Sequence, residues 1–338
     1  MELRIDLRAD VSSASLPGDA GVAGVLSADQ YGPVGFVTQI QSVKINALEM
    51  PLDIREEPSA THPIFSHART IPARLATRGP YECAGIGNPT RKNAMDLKGK
   101  AVIVTGSSSG IGEAVARRLS ALGAGIVVNS QSSIDAGTRL ASELVDAVYV
   151  RGDIGDPSTA GALVGAARER WGRLDGLVNN AGRTVPVPLH DIGAVTPEHW
   201  DQVLRTNVIG SFLVAQAALP LLRDAGDGWI VNIGSIAGIR QVGSSLPYAV
   251  SKAALHHLTT LLAKYAGGNV RVNAVAPGLV DTPWTETWNL QREFVGAAAP
   301  LHRIATPDDV AEACLAFVAN GYATGQVLVV DGGFTLVS

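Results

Sequence analysis

Residues Val104 to Leu119 read VTGSSSGIGEAVARRL. A β-branched apolar run enters this stretch, and an amphipathic helical pattern leaves it. Between them stand Gly106, Gly110 and Gly112, the first two separated by three serines and the last two by Ile111. Glycine lets a chain turn tightly and approach a diphosphate with no Cβ in the way. The helix that follows offers unpaired N–H groups and a partial positive charge to an anion. The turn therefore points to phosphates held by Gly106, Ser108, Ser109, Gly110, Ile111 and Gly112. A glycine-rich turn alone is weak evidence; its place between a strand and a helix gives it weight.

Outward from this turn, strand and helix patterns alternate to the end of the chain. Strands are predicted over Ala101–Thr105, Ile126–Asn129, Ala147–Arg151, Gly176–Asn179, Trp229–Ile233, Val270–Ala276 and Val327–Val330. They are apolar on both faces, as in a parallel sheet covered by helices. Helices are predicted over Gly112–Leu122, Asp135–Val145, Pro157–Trp171, Pro197–Leu222, Leu246–Tyr265 and Pro307–Ala319. TPEHW and TPDDV each place a threonine cap, a proline in the first turn and acids just inside. The alternation predicts an α/β Rossmann-type doubly wound parallel sheet of about seven strands, with helices on both faces. Residues 95–338 suit one domain of this kind.

Residues 1–94 have a different texture. They hold eight of the 18 prolines and no clear helical or strand period. They read as a Pro-rich, flexible N-terminal extension, or as the product of an upstream start assigned in error, since MDLKGKAVIVTG resembles a natural beginning at Met95. His62, His67 and Cys83 lie there, but two histidines and one cysteine fall short of a zinc set, and no metal site is expected. With only Cys83 and Cys314, no disulfide framework is expected either. A net charge of −4 argues against a nucleic-acid partner. No run of 18 apolar residues or secretory signal pattern is present, so a cytoplasmic protein without a membrane partner is expected.

The chemistry-bearing residues lie further along. YAVSK places Tyr248 and Lys252 four residues apart, on one face of a predicted helix. A free phenol ionises near pH ~10, and a neighbouring ammonium lowers that value towards neutrality. The pair is a candidate proton donor and acceptor, although the same spacing also occurs on ordinary helix surfaces. Ser235 ends a predicted strand, where ligands bind in open α/β sheets. Its surroundings lack the GxSxG elbow of a hydrolase. Asn207 is either part of this set or a buried asparagine capping its own helix. His256 and His257 read as packing or interface residues.

The turn has the spacing TGxxxGxG, and an ordered series of motifs follows: GDIGD at 152–156, NNAG at 179–182, TNVIGSF at 206–212, NIGSIAG at 232–238, YAVSK at 248–252, NAVAPGLVDTP at 273–283 and DGG at 331–333. In this series residues 95–338 resemble the short-chain dehydrogenase/reductases, including 3-oxoacyl-acyl-carrier-protein reductases. The resemblance implies an NAD(P)(H)-dependent oxidoreductase interconverting a ketone or aldehyde and an alcohol. By it, Ser235 positions the carbonyl, Tyr248 transfers the proton, Lys252 binds the nicotinamide ribose, and Asn207 supports a water-linked relay. It also assigns Asp153 and Ile154 to the adenine, Asn180, with Ala181 and Gly182 of the same motif, to the region of the ribose, and Pro277, Gly278, Val280 and Thr282 to the segment over the nicotinamide. A homotetramer is the family expectation.

The second strand sets the cofactor choice. It ends in Ser130 and Gln131, with neither the acid that binds a ribose 2′-hydroxyl nor an arginine for a 2′-phosphate. The missing acid favours NADP(H) over NAD(H), and Ser107, Ser108 and Ser109 are further candidates to bond a 2′-phosphate. Trp284 and Trp288 either wall a substrate pocket or pin a loop helix, and Gln241, Val242 and the 183–194 loop are further candidates for substrate contact. Two other readings remain open: an epimerase or dehydratase of a longer branch, and a non-catalytic cofactor-sensing protein. The complete Ser/Tyr/Lys set weighs against the second.

Overall fold

A computed structural model describes residues 95–337. The chain divides after Glu82, and the described residues all fall in the second unit, Cys83–Ser338. The expected extension over 1–94, with His62, His67 and Cys83, lies outside the described residues.

The β-branched runs form β1 (Ala101–Val104), β2 (Gly125–Ser130), β3 (Ala147–Arg151), β4 (Gly176–Asn179), β5 (Trp229–Ile233), β6 (Arg271–Pro277) and β7 (Val327–Val330). All pair in parallel, in the order β3-β2-β1-β4-β5-β6-β7. Strand side chains alternate between faces, so Val102 and Val104 enter one core and Ile103 the other. The first core is closed by α1 (Gly110–Ala121), α2 (Ile134–Glu143) and α8 (Pro307–Ala319). The second is closed by α3 (Pro157–Trp171), α5 (Ser211–Asp224) and α6 (Leu246–Tyr265). Because β2 and β3 run out to one side of β1 and β4 to β7 to the other, the strand order reverses between β1 and β4. A crevice at that reversal is where such sheets bind ligands.

The helix starts follow the sequence signals. Thr196 caps α4 (Pro197–Leu204), accepting from the His199 N–H at 3.4 Å. Thr306 caps α8 and accepts from the Asp309 N–H at 3.3 Å, while Asp309 Oδ2 accepts the Thr306 N–H at 2.7 Å. Two departures bear on function. Helix α1 begins two residues before the predicted Gly112. The long helix expected over Pro197–Leu222 reaches Asp224 but widens into a π-helical stretch at Arg205–Gly210, which carries Asn207. Such bulges cluster at functional sites. By length and composition this continuous helix is apolar enough to cross a membrane. Its α5 portion packs Val214, Ala215, Ala218 and Leu222 into the second core, so core packing explains the same composition.

Leu177 is fully buried on β4 in that core. Leu177→Ala is expected to cost about 2–5 kcal/mol, read as a lower urea midpoint at unchanged slope; a loss below about 1 kcal/mol contradicts this packing.

Candidate active site

One cavity of about 560 Å³ opens at the C-terminal ends of the strands. Gly106, Ser108, Ser109, Gly110 and Ile111 line one part, and Ser235, Tyr248 and Lys252 another. Ser130, Gln131, Asp153, Ile154, Asn180, Ala181 and Gly182 also line it, as do Pro277, Gly278, Val280 and Thr282.

The glycine turn is held by side-chain amides from β2 and from the loop that follows β4. Gly106 has φ +60°, and a Cβ there would stand 2.7 Å from Ala181 Cα. Its N–H donates to Asn129 Oδ1 at 3.2 Å. Asn180 Nδ2 donates to the carbonyls of Thr105 at 3.0 Å and Gly106 at 2.8 Å. Asn129 Nδ2 reaches the carbonyls of Val150 and Gly152, both at 3.1 Å. Sequence reasoning did not single out Asn129; the signal was a lone amide in the buried strand IVVNS. Ser109, at the cap of α1, makes no side-chain bond to the helix, which leaves first-turn N–H groups for an anion.

Gly112, expected at the diphosphate, and Ser107, a candidate for a 2′-phosphate, have other work. Gly112 does not line the cavity; a Cβ there would run into the Asn180 amide and come within 2.5 Å of the Gly106 carbonyl. It serves helix–strand packing, the role physics assigns to a third glycine. Ser107 is fully buried, donates to the Val104 carbonyl at 2.8 Å and accepts the Asn129 N–H at 3.0 Å. Its hydroxyl faces inward, not towards a 2′-phosphate.

At the end of β2, Ser130 donates to the Ser133 carbonyl at 3.0 Å and lies 2.9 Å from the Tyr149 hydroxyl. Gln131 Nε2 donates to Asp153 Oδ2 at 2.9 Å, and Asp153 Oδ1 accepts the Gly155 N–H at 2.8 Å. Arg151 pairs in register with Ser130, and its Nε donates to the Gln131 carbonyl at 3.4 Å. A cation thus stands beside the strand end where the acid is missing.

At the start of α6, Ser245 Oγ accepts the Tyr248 N–H at 3.3 Å and sets the tyrosine in the first turn. Lys252 is buried, and its Nζ donates to the Ile233 carbonyl at 2.8 Å, 5.7 Å from the Tyr248 ring centre. Burial lowers the Lys252 ammonium to about 8. The Tyr248 phenol differs from the sequence expectation: burial pushes it above its ordinary value, and the Ser235 hydroxyl opposes that rise. Desolvation disfavours the phenolate here more than its neighbours favour it.

Asn207 is buried and does not line the cavity. Its Nδ2 donates to the Arg183 carbonyl and to Ser251 Oγ, both at 2.9 Å, and its Oδ1 accepts the Arg183 N–H at 2.7 Å. Its side chain therefore ties the loop after β4 to α6 rather than capping its own helix. Trp284 meets Tyr248 edge-on, with ring centres 6.3 Å apart. Trp284, Trp288, Val242 and Phe294 line the cavity, whereas Gln241 and residues 183–194 do not. Phe294 lies on α7 (Asn289–Ala298), a helix the sequence patterns did not reveal. Among the described residues, no group of three or more His, Cys, Asp or Glu could hold a metal ion.

A doubly wound sheet with a glycine turn at its strand reversal and a Ser/Tyr/Lys wall defines a dinucleotide-dependent class of proteins. Residues 106–335 match a family model described as enoyl-(acyl carrier protein) reductase. The chain is 51% identical over 238 residues to the protein named as ketoacyl reductase 2 of the granaticin polyketide synthase from Streptomyces violaceoruber, covering 70% of this chain and 96% of that one. It is 36% identical over 250 residues to the 3-oxoacyl-acyl-carrier-protein reductase of Thermotoga maritima, covering 72% and 100%. A solved structure from Burkholderia xenovorans, titled as a short-chain dehydrogenase/reductase, matches with TM-score 0.66 and 31% identity over 70% of this chain and 98% of that one. The chain belongs to the short-chain dehydrogenase/reductase family, whose members are oxidoreductases using a nicotinamide cofactor. The cavity fits such a group: the α1 N-terminus is open, and Gly106, which lines the cavity, lets its turn lie against Ala181 where a Cβ would collide.

The buried lysine has a pH consequence. Below pH about 8 both folded and unfolded chains hold the Lys252 proton, and the buried charge costs stability. Between there and the ordinary value of 10.5, the unfolded chain binds more protons, so stability rises with pH. Compared with Lys252→Met, the wild-type chain is expected to gain about 2–3 kcal/mol from pH 7 to 10.5 in denaturant titrations. A constant difference between the two contradicts it.

Proposed function

We propose that this protein interconverts a ketone or aldehyde and an alcohol, with Tyr248 as acid and base. The observation that carries the reading is the convergence of Ser235, Tyr248 and Lys252 on the cavity that the glycine turn also lines. A nicotinamide held by these residues would supply or accept the hydride. Ser235 Oγ and the Tyr248 hydroxyl hold the substrate oxygen between them. In reduction, Tyr248 gives its proton to the developing alkoxide, where a positioned donor acts most strongly in a desolvated site. Lys252, held through its bond to the Ile233 carbonyl, sets positive charge near the phenol and eases proton return. Asn207 steadies this arrangement through Ser251, one residue before Lys252.

Gly106, Ser108, Ser109, Gly110 and Ile111 would hold the diphosphate, and Asp153 and Ile154 the adenine. NADP(H) is the favoured cofactor. The strand end at Ser130 and Gln131 lacks an acid, and the Arg151 guanidinium beside it supports an added phosphate. Trp284, Trp288 and Phe294 give the substrate an apolar, aromatic wall. Residues 95–338 would form the whole catalytic domain. Exposed Phe212 on α5 and Val250, Leu261 and Tyr265 on α6 support pairing into an oligomer through these helices.

A panel of ketones and alcohols, run separately with NADPH and NADH, tests the reading. Turnover is expected with NADPH favoured. Tyr248→Phe is expected to lose at least about 10³-fold in kcat while still binding the dinucleotide. A fully active Tyr248→Phe enzyme overturns the assignment.

A further inference from the structure

His256 continues the face of α6 that carries Tyr248 and Lys252, at the same spacing of four. It is buried, and the mechanism above gives it no task. Its Nε2 accepts the backbone N–H of Ser235 at 3.4 Å. One turn earlier, Lys252 donates to the carbonyl of Ile233. Between these two contacts lies Gly234, where a Cβ would run into the His256 ring. The Gly234 N–H itself donates to the Val275 carbonyl at 2.7 Å, towards β6. Helix α6 thus grips three successive residues at the end of β5, and His256 grips the last of them. The Ser235 hydroxyl is fixed in turn by the Ala237 N–H, 3.1 Å away.

We propose that His256 is a positioning residue: it accepts the Ser235 N–H and so fixes the Ser235 hydroxyl beside the Tyr248 phenol. The inference rests on the carbonyl/alcohol reading above. Burial, with the Lys252 charge second, lowers the imidazole to about 4. The ring is therefore neutral at pH 7, which leaves Nε2 free to accept and puts the proton on Nδ1. Packing alone would need only a side chain of the right volume. Positioning needs an acceptor at the place of Nε2.

Three variants separate the two. His256→Gln reaches the Ser235 N–H with its amide oxygen, His256→Asn is one bond too short, and His256→Leu fills space without accepting. Leucine and asparagine are expected to lower kcat about tenfold at unchanged dinucleotide affinity, while glutamine retains at least half of wild-type kcat. Hydrogen exchange at the Ser235 amide is expected to speed up in the leucine and asparagine variants and stay slow in the glutamine variant. Should leucine fail to fold, the asparagine and glutamine pair makes the same comparison. Wild-type kcat in asparagine, or equal losses in asparagine and glutamine, overturns the proposal. A wild-type protein that binds dinucleotide yet turns over no carbonyl overturns the functional reading and the positioning role with it. Unchanged Ser235 exchange in asparagine overturns the bond itself.

Discussion

The turn after β1 and the turn after β4 approach so closely that only glycine fits at residue 106, against Ala181. Much of the cavity depends on that approach. It brings the start of α1 beside the Asn180 loop, where the amide of Asn180 binds two carbonyls of the glycine turn. Asn129 adds a second brace from β2 and extends it to the end of β3. The reversal of strand order leaves the crevice open, and these amides decide its shape. A strand end in water would have hydrated carbonyls; here they are satisfied within the protein, which keeps the cradle rigid.

The end of the cavity that carries Ser235, Tyr248 and Lys252 is built on desolvation. Lys252 sits in the protein interior with the Ile233 carbonyl as its hydrogen-bond partner, and burial shifts it and the Tyr248 phenol in opposite directions, lysine down and phenol up. Both shifts weaken the charged forms. Charge appearing on a substrate oxygen would then be met by groups already aimed at it, with little reorganisation. Helix α6 does much of this positioning from one face, through contacts to successive residues at the end of β5.

Most of the sheet was legible in the sequence, because seven β-branched runs separated by capped helical patterns leave few arrangements. The edges were less so. The Ser109 cap sets the start of α1 through its extended backbone, which periodicity does not register. The π-helical stretch at Arg205–Gly210 keeps a helical pattern in sequence, so it read as plain helix. Ser107 and Gly112 looked like ligand contacts because they lie inside the motif, yet one faces the core and the other faces Asn180. Sequence gives Asn129 and Arg151 no role and His256 only one in packing or at an interface, because their partners lie about 20 residues away in the chain. Local pattern does not reveal which distant backbone group a buried amide or imidazole meets.

The central claim is hydride exchange at the cavity formed by Ser235, Tyr248 and Lys252. It is tested most directly by incubating the protein with nicotinamide dinucleotide deuterated at C4 on each face in turn and a panel of ketones, then locating the label by mass spectrometry. The account predicts deuterium on the carbinol carbon of a product alcohol, from one face only. Tight dinucleotide binding with no label in any product contradicts it.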